Sequence, residues 1–273
     1  MFYFLNLQSM LFYTTHIHSN KDTKWVVFIH GAGGSSNIWY KQINSFRKHF
    51  NLLFIDLRGH GQTEVDEKVN ISKEYTFESI SQEVFEVLNH LKIEKAHFIG
   101  VSLGTILIRK MIDMNRQHIY SIIMTGAIIR LNRISRFLIW GGNILKNSVP
   151  YLFLYKLFAV VIMPRKNHKK AREIFIREAK KLKQSEFLRW FGMTKTLNKE
   201  LKEFEKETHL VPILFISGRQ DHLFIEDVKK MAKRELNGQL EIIENCGHVV
   251  NIEKAELFNE ISIDFFLNQN SLK

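Results

Sequence analysis

The chain has 273 residues, of which 45% are hydrophobic and 12% aromatic, and its formal net charge is +11. This composition suffices for a large buried core and excludes an intrinsically disordered chain. The single cysteine, Cys246, excludes an intrachain disulfide and a four-cysteine zinc site, and it favours a reducing, cytoplasmic location. No uncharged apolar run reaches the length of about 18 residues that a transmembrane helix needs.

The predicted elements begin with residues 1–19, which are apolar but lack the basic stretch and the cleavage site of a signal peptide. This segment is predicted to form two short strands of a hairpin. Six further apolar runs predict strands, at 24–30, 51–57, 95–100, 120–126, 211–218 and 239–245. Helical patterns such as 76–91 separate them. Continuous apolar strands separated by helices predict an α/β fold with a mostly parallel, doubly wound sheet.

The alternation of strands and helices stops between residues 127 and 207, where aromatic and basic helical patterns dominate, such as 169–182. This segment is predicted to be a helical cap inserted into a core made of residues 1–126 and 208–273. The cap contains 19 Lys and Arg against 7 Asp and Glu, whereas the rest of the chain contains 20 against 21. Essentially all of the excess positive charge therefore lies in the cap.

The stretch FIGVSLG places Ser102 between Gly100 and Gly104, directly between a predicted strand and a predicted helix. A tight turn at this point needs small neighbours and lifts the serine oxygen clear of the sheet. The start of the following helix suits a developing negative charge, because its N–H groups are free and its dipole end is positive. Ser102 is therefore a candidate nucleophile, although a serine in an ordinary turn is the alternative.

Two later residues follow predicted strands and complete the candidate site. His248 lies in a loop after the last strand and is the candidate base, since a serine hydroxyl is a poor nucleophile until a base takes its proton. Asp221 follows the preceding strand and is the candidate acceptor that orients the imidazole. Asp227 is the nearest substitute for Asp221, but the pattern places it in a helix.

Five stretches together resemble the α/β-hydrolase superfamily, in the group that carries a helical cap: VVFIHGAGGSSNIW, FIDLRGHGQT, FIGVSLG, VPILFISGRQD and ENCGHVVNIE. They cover most of the core in the expected order, and the resemblance does not extend into the cap. The resemblance implies that Ser102 is the nucleophile, His248 the base and Asp221 the orienting acid.

The same resemblance implies an oxyanion hole formed by the backbone N–H groups of Leu103 and Ala32, with Gly33 as the alternative to Ala32. His30 and His60 are expected to shape the neighbouring loops rather than to transfer protons. No metal or cofactor is predicted, because the implied mechanism needs none and the glycine-rich loop after His30 lacks nucleotide-binding spacings.

The predicted function is hydrolysis of a small-molecule carboxylic ester through an acyl-enzyme, with an apolar substrate because the Phe-rich cap is expected to cover the pocket. A thioesterase, a lactonase, a C–C bond hydrolase and a low-turnover ligand-binding or signalling protein remain alternatives. The basic cap has three interpretations: a solvated surface, peripheral contact with anionic membranes, and an entrance that attracts acidic substrates. Nucleic-acid binding is not predicted, since the charge fits no recognised module.

Overall fold

The computed structural model describes residues 10–65, 74–206 and 208–271. Within these residues a seven-stranded sheet is formed. Its strands are β1 (Tyr13–His16), β2 (Trp25–Ile29), β3 (Asn51–Ile55), β4 (Ala96–Val101), β5 (Ile119–Thr125), β6 (Ile213–Gly218) and β7 (Gly238–Ile243). The strand order is β1-β3-β2-β4-β5-β6-β7, with β1 antiparallel to β3 and the other pairs parallel. The predicted α/β fold with a mostly parallel sheet is confirmed.

Helices follow most of the strands. They are α1 (Ile43–Phe46), α2 (Phe77–His90), α3 (Leu103–Asn115), α4 (Arg133–Leu145), α5 (Tyr151–Ile162), α6 (Lys169–Ala179), α7 (Gln184–Gly192), α8 (Thr194–Phe204), α9 (Ile225–Arg234), α10 (Val250–Glu253) and α11 (Ala255–Ser271). Helix α2 begins with a capping box, in which Thr76 and Ser79 bond each other's backbone N–H. Of the predicted N-terminal hairpin, the second strand corresponds to β1, and residues 1–9 lie outside the described residues.

The sheet is buried on both faces because successive side chains of its central strands point to opposite sides. On β2, Val27 and Ile29 pack into one apolar cluster, beneath α2, α3 and α9. Val26 and Phe28 pack into the other, beneath α1 and α11. Fully burying a side chain of this size stabilises the fold by about 1.5–3 kcal/mol, so these continuous apolar runs account for the two-sided core.

Helices α4–α8 form the segment inserted between β5 and β6, and several polar contacts join them to the core. The Trp190 indole N–H donates to the Arg58 carbonyl (2.9 Å). The Glu178 carboxylate of α6 accepts from the Ser35 hydroxyl (2.7 Å). These contacts anchor the insertion close to the loops that follow β2 and β3. The cap boundaries predicted at 127 and 207 stay a prediction.

Candidate active site

Ser102 occupies a strained turn between β4 and α3. Its backbone has φ 53° and ψ −118°, which lies in the left-handed half of conformational space that side chains rarely adopt. A Cβ at Gly104 would collide with the Ile29 carbonyl oxygen, and one at Gly100 would lie 2.8 Å from the Gly104 backbone. Both glycines are therefore required by the close approach of neighbouring backbone. Strain of this kind persists where the surroundings hold it, and such residues concentrate at functional sites.

The structure brings Asp221 and His248 together at the same edge of the sheet. The Nδ1 of His248 lies 2.9 Å from Oδ2 of Asp221, and both side chains are buried. The opposite ring nitrogen, Nε2, is buried and has no hydrogen-bond partner among the described residues. His248 and Ser102 line one cavity. An imidazole held in this way by a carboxylate at Nδ1 leaves Nε2 ready to accept a proton.

Gly126, directly after β5, makes room for His248. Its φ is +52°, and a Cβ there would collide with the His248 carbonyl oxygen and come within 3.1 Å of the ring Nδ1. Gly126 falls in none of the motifs that mark the site in the sequence. A glycine at the end of a buried strand beside the predicted site was the signal that could have identified it.

Replacement of Gly126 by Ala is expected to lower kcat by at least about 10²-fold, because a displacement of the base by about 1 Å is enough for such a loss. The left-handed φ should also destabilise the fold by about 1 kcal/mol. Steady-state kinetics and urea unfolding measure the two effects. Gly141→Ala in α4 is the matched control, since no atom lies within 4 Å of the added Cβ. Equal activity of the two variants would show that Gly126 does not position His248.

The loop after β2 lies against the candidate nucleophile. A Cβ at Gly31 would lie 3.1 Å from the Ser102 Cβ. Leu103 is the first residue of α3, so its N–H has no partner within that helix. The N–H of Gly33, the alternative oxyanion donor, donates instead to Nε2 of His60 (3.0 Å). Because the Gly33 N–H is already engaged, Ala32 is favoured over Gly33 as the second oxyanion donor. Ala32 lines the cavity together with Leu103.

His30 and His60 are both neutral and bonded at both ring nitrogens. Nδ1 of His30 donates to the Gly31 carbonyl (2.7 Å), while Nε2 accepts from the Leu57 N–H (3.0 Å). Nδ1 of His60 donates to the Arg58 carbonyl (3.0 Å), and its Nε2 accepts from Gly33. Burial lowers the pKa of His30 to about 4 and that of His60 to about 3. With no free nitrogen, neither ring is placed to relay a proton.

These lowered pKa values predict a loss of stability in acid. In the unfolded chain, His30 and His60 become protonated as the pH falls below the ordinary histidine pKa of 6.5. In the folded chain, His30 is protonated only near pH 4 and His60 only near pH 3. The free energy of unfolding should therefore fall from pH 7 to pH 5, by up to about 4 kcal/mol for the two rings together. Urea unfolding at both pH values measures this change. The variant His60→Gln, which keeps an acceptor for Gly33, should lose about half of it; an unchanged pH dependence would contradict the assignment.

A cavity of about 250 Å³ lies between the sheet edge and the inserted helices. Aromatic and aliphatic side chains dominate its lining, including Phe158, Phe187, Trp190 and Phe191 from the insertion. Among the described residues that line it, none is charged. The expectation that an apolar, Phe-rich cap covers the site agrees with this arrangement.

Two further aromatic contacts shape the site, and the sequence analysis did not identify them. The Tyr155 ring of α5 lies over Gly33, where an added Cβ would approach within 2.6 Å of the ring. Burial raises the pKa of the Tyr155 hydroxyl, so that the phenol stays neutral. The Phe224 ring lies 5.3 Å from the His248 ring, centroid to centroid. Neither residue falls in a motif, so no sequence signal marked them.

Comparisons with known proteins identify relatives with similar sequences and a similar fold. A family model described as "alpha/beta hydrolase fold" matches residues 24–144. A 3-oxoadipate enol-lactonase of Acinetobacter baylyi is 24% identical, over 92% of this chain and 92% of the relative. An (E)-2-((N-methylformamido)methylene)succinate hydrolase of the same organism is 23% identical, over 90% and 92%. The structure of a thermophilic esterase from Thermogutta terrifontis superposes with a TM-score of 0.77 at 17% identity, covering 95% and 93%.

The strand order, the turn that carries Ser102 and these matches together show that the chain has the α/β-hydrolase fold. It is a hydrolase of this fold, and the relatives that it resembles include esterases and lactonases.

Proposed function

We propose that the protein is a serine hydrolase that cleaves uncharged carboxylic esters with an apolar acyl group. The observation that carries this proposal is that the candidate catalytic residues lie at an apolar cavity. A buried Asp221–His248 pair and a strained Ser102 face a cavity whose described lining has no charged side chain.

In the proposed reaction, the Ser102 hydroxyl oxygen attacks the ester carbonyl while Nε2 of His248 takes the hydroxyl proton. The negative oxygen of the tetrahedral intermediate accepts hydrogen bonds from the N–H groups of Ala32 and Leu103. Collapse breaks the ester C–O bond, and His248 passes its proton to the leaving alcohol. Water, activated by the same imidazole, then attacks the acyl-serine and releases the acid. Asp221 stays ionised and stabilises the transient imidazolium.

The polar side chains of the cavity support an apolar substrate. The Ser135 hydroxyl donates to the Asn132 side chain (3.1 Å), and the Thr194 hydroxyl donates to the Phe191 carbonyl (2.7 Å). Both groups are therefore satisfied within their own segments. Few polar groups other than Ser102 and His248 are left to bind substrate, so recognition rests on apolar contact.

The absence of charge from the described lining also argues against the substrates for which two of the relatives are named. Those substrates are an enol-lactone of 3-oxoadipate and a substituted succinate, and both carry at least one carboxylate at neutral pH. A buried carboxylate costs several kcal/mol unless a cation or donors compensate it. The described cavity lining offers no Lys or Arg for that purpose. Neutral esters therefore fit the cavity better than esters or lactones that carry a carboxylate.

A series of p-nitrophenyl esters from acetate to hexadecanoate tests the proposal. The value of kcat/KM should rise about fourfold for each methylene that enters the cavity, since burying one contributes about 0.8 kcal/mol. The rise should stop once the cavity is full, at a medium chain length. A steady decline from acetate onward would contradict an apolar acyl site.

A matched pair of substrates tests the charge argument. p-Nitrophenyl hexanoate and the p-nitrophenyl monoester of adipic acid have acyl chains of equal length, and only the second ends in a carboxylate. We expect kcat/KM for the charged ester to be at least about 10²-fold lower, because the cavity would bury an unpaired charge. Equal rates, or preference for the charged ester, would contradict the proposal.

Thioesters, lactones and activated C–C bonds remain alternatives for the same residues, and the corresponding octanoyl thioester and lactone belong in the panel. A ligand-binding protein with slow turnover would be labelled by a fluorophosphonate at Ser102, yet its steady-state hydrolysis of every ester in the panel would be negligible. The cytoplasmic location stays a prediction. Within the described residues, no helix combines the length and the apolar character that crossing a bilayer requires.

A further inference from the structure

The exposed apolar side chains of the described structure are concentrated on α4 and α5. Of the fourteen large apolar side chains that are exposed, eight lie on these two consecutive helices. They are Ile134, Phe137, Trp140, Ile144, Leu145, Phe153, Leu157 and Val160. Isolated exposed apolar residues are ordinary, whereas a concentration of this kind marks an interaction surface. We call these eight residues the α4–α5 face.

The α4–α5 face is distinct from the cavity, although the same helices contribute to both. Leu138 and Ile139 of α4 and Phe158 of α5 line the cavity, and none of the eight exposed residues does. The two helices touch, because a Cβ at Gly142 of α4 would lie 3.2 Å from the Phe158 ring. A helix that is apolar on its buried side needs no apolar residues on its solvent side. Burial within the fold therefore does not account for the face.

The charged residues of α4, α5 and their flanking chain have one sign. Residues 114–172 contain no Asp or Glu, whereas residues 127–172 alone contain ten Lys and Arg. Arg133 and Lys156 are exposed on the same helices as the apolar residues. The acidic residues of the insertion begin only at Glu173. Two exposed helices that carry basic residues and no acidic ones are complementary to a layer of negative charge.

The composition of the face matches the boundary of a lipid bilayer. Trp140 is 60% exposed and Phe137 is 65% exposed, with their ring centroids 5.7 Å apart. Aromatic side chains beside Lys and Arg are typical of helices that lie in the plane of a membrane surface. Basic residues near an anionic surface each contribute about 1 kcal/mol to such binding. From this combination we propose that the α4–α5 face binds anionic lipid bilayers peripherally, with α4 and α5 against the headgroups.

Co-sedimentation of the full chain with vesicles tests the proposal. The protein should sediment with phosphatidylcholine vesicles that contain about 25% phosphatidylglycerol and remain in solution with phosphatidylcholine alone. Added salt should weaken the binding, because exposed charges are screened. Failure to sediment with the anionic vesicles, or equal sedimentation with both kinds, would overturn the proposal.

Two double variants locate the contact. Phe137→Gln/Trp140→Gln should lower the partition coefficient at least about tenfold by removing apolar insertion. Arg133→Gln/Lys156→Gln should lower it about 30-fold through two lost charges. The matched control is Ile17→Gln/Leu236→Gln, which replaces side chains that are 76% and 68% exposed but lie outside α4 and α5. The control should bind like the wild type, and equal binding by all three variants would overturn the assignment of the face.

Fluorescence reports the insertion directly. Of the four tryptophans, Trp140 is exposed, Trp25 is half-buried on β2, and Trp39 and Trp190 are buried. Binding should therefore shift the emission to shorter wavelength mainly through Trp140. Trp140→Phe should keep its sedimentation and lose most of the shift. Size-exclusion chromatography tests whether the face binds a second copy of the chain instead. A dimer that dissociates in the Phe137→Gln/Trp140→Gln variant, together with no binding to vesicles, would show that it does and would overturn the lipid proposal. Binding needs no turnover, so the inactive Ser102→Ala protein gives the same result whether or not the proposed esterase activity holds.

Discussion

Replacement of Ser102 by Ala is expected to lower kcat on p-nitrophenyl octanoate by at least about 10⁴-fold. Removal of the nucleophile eliminates the acyl-enzyme route, and only substrate binding and oxyanion stabilisation remain to accelerate attack by water. The substitution deletes one oxygen and leaves the strained backbone of the turn occupied by a residue with the same Cβ. The free energy of unfolding should therefore change by less than about 1 kcal/mol.

Ser148→Ala is the control for this variant, because Ser148 is exposed in the turn between α4 and α5 and does not line the cavity. It should keep full activity. A fluorophosphonate should label the wild type and Ser148→Ala but not Ser102→Ala, as mass spectrometry of the intact protein would show. Residual turnover within about tenfold of the wild type in Ser102→Ala would rule out this serine as the nucleophile.

Asp221→Asn should lower kcat by about 10⁴-fold with little change in KM. The carboxylate accepts the Nδ1–H of His248, whereas an amide NH₂ in its place would donate to Nδ1 and move the ring proton to Nε2. The imidazole would then present a proton to Ser102 instead of a free electron pair. Asn has the same shape as Asp, so the buried site should keep its packing. Stopped-flow or steady-state kinetics at pH 8 measures the loss.

Asp227→Asn distinguishes this orienting role from a general effect of lost negative charge. Asp227 lies two residues into α9 beyond its first residue, Ile225, and its Oδ1 lies 4.0 Å from the Lys230 ammonium. Its amide variant should retain kcat within about twofold, since a 4.0 Å pair with a largely exposed lysine contributes at most about 1 kcal/mol. The reverse result, with Asp227→Asn inactive and Asp221→Asn active, would transfer the role to Asp227.

Strands β2–β6 could be predicted from the sequence because their burial is two-sided, whereas the edge strand β7 has Gln239 and Glu241 exposed. The six apolar runs predicted downstream of the N-terminus correspond to β2–β7 with ends that differ by at most two residues. A strand covered on both faces is apolar at every position, so its signal is strong even over five or six residues. The helix predicted at 169–182 ends at Ala179, because helix ends depend on local capping more than on periodicity.

The proximity of Asp221 and His248 could also be predicted, since parallel neighbouring strands deliver the residues that follow them to one edge. Strands β6 and β7 are such neighbours. The hydrogen bond of His60 to Gly33 could not be derived from either motif alone, because it joins two loops whose approach depends on the register of β2 against β3. The motif indicated only that His60 shapes its loop.

The lining of the cavity was beyond prediction for a different reason. Tyr155 and Gly33 are far apart in sequence, and their contact depends on how α5 packs against the core. Helical periodicity identifies an apolar face but not the surface that it meets. Helices α4 and α5 are apolar on more than one side, so periodicity could not separate the cavity side from the α4–α5 face. The sequence therefore predicts the sheet edge that carries Ser102, Asp221 and His248 better than it predicts the lining of the cavity.

The insertion between β5 and β6 also delays the pairing of these two strands during synthesis. The two strands pair, yet Thr125 and Ile213 are separated by the whole insertion. Closing a connection of that length costs only about 2 kcal/mol more than closing one of ten residues, because the entropy grows with the logarithm of length. A nascent chain that ends before residue 208 contains Ser102 and its strained turn but neither Asp221 nor His248. The proposed nucleophile therefore has no proposed base until residues 221–248 leave the ribosome, and a product truncated before them would carry an inert serine.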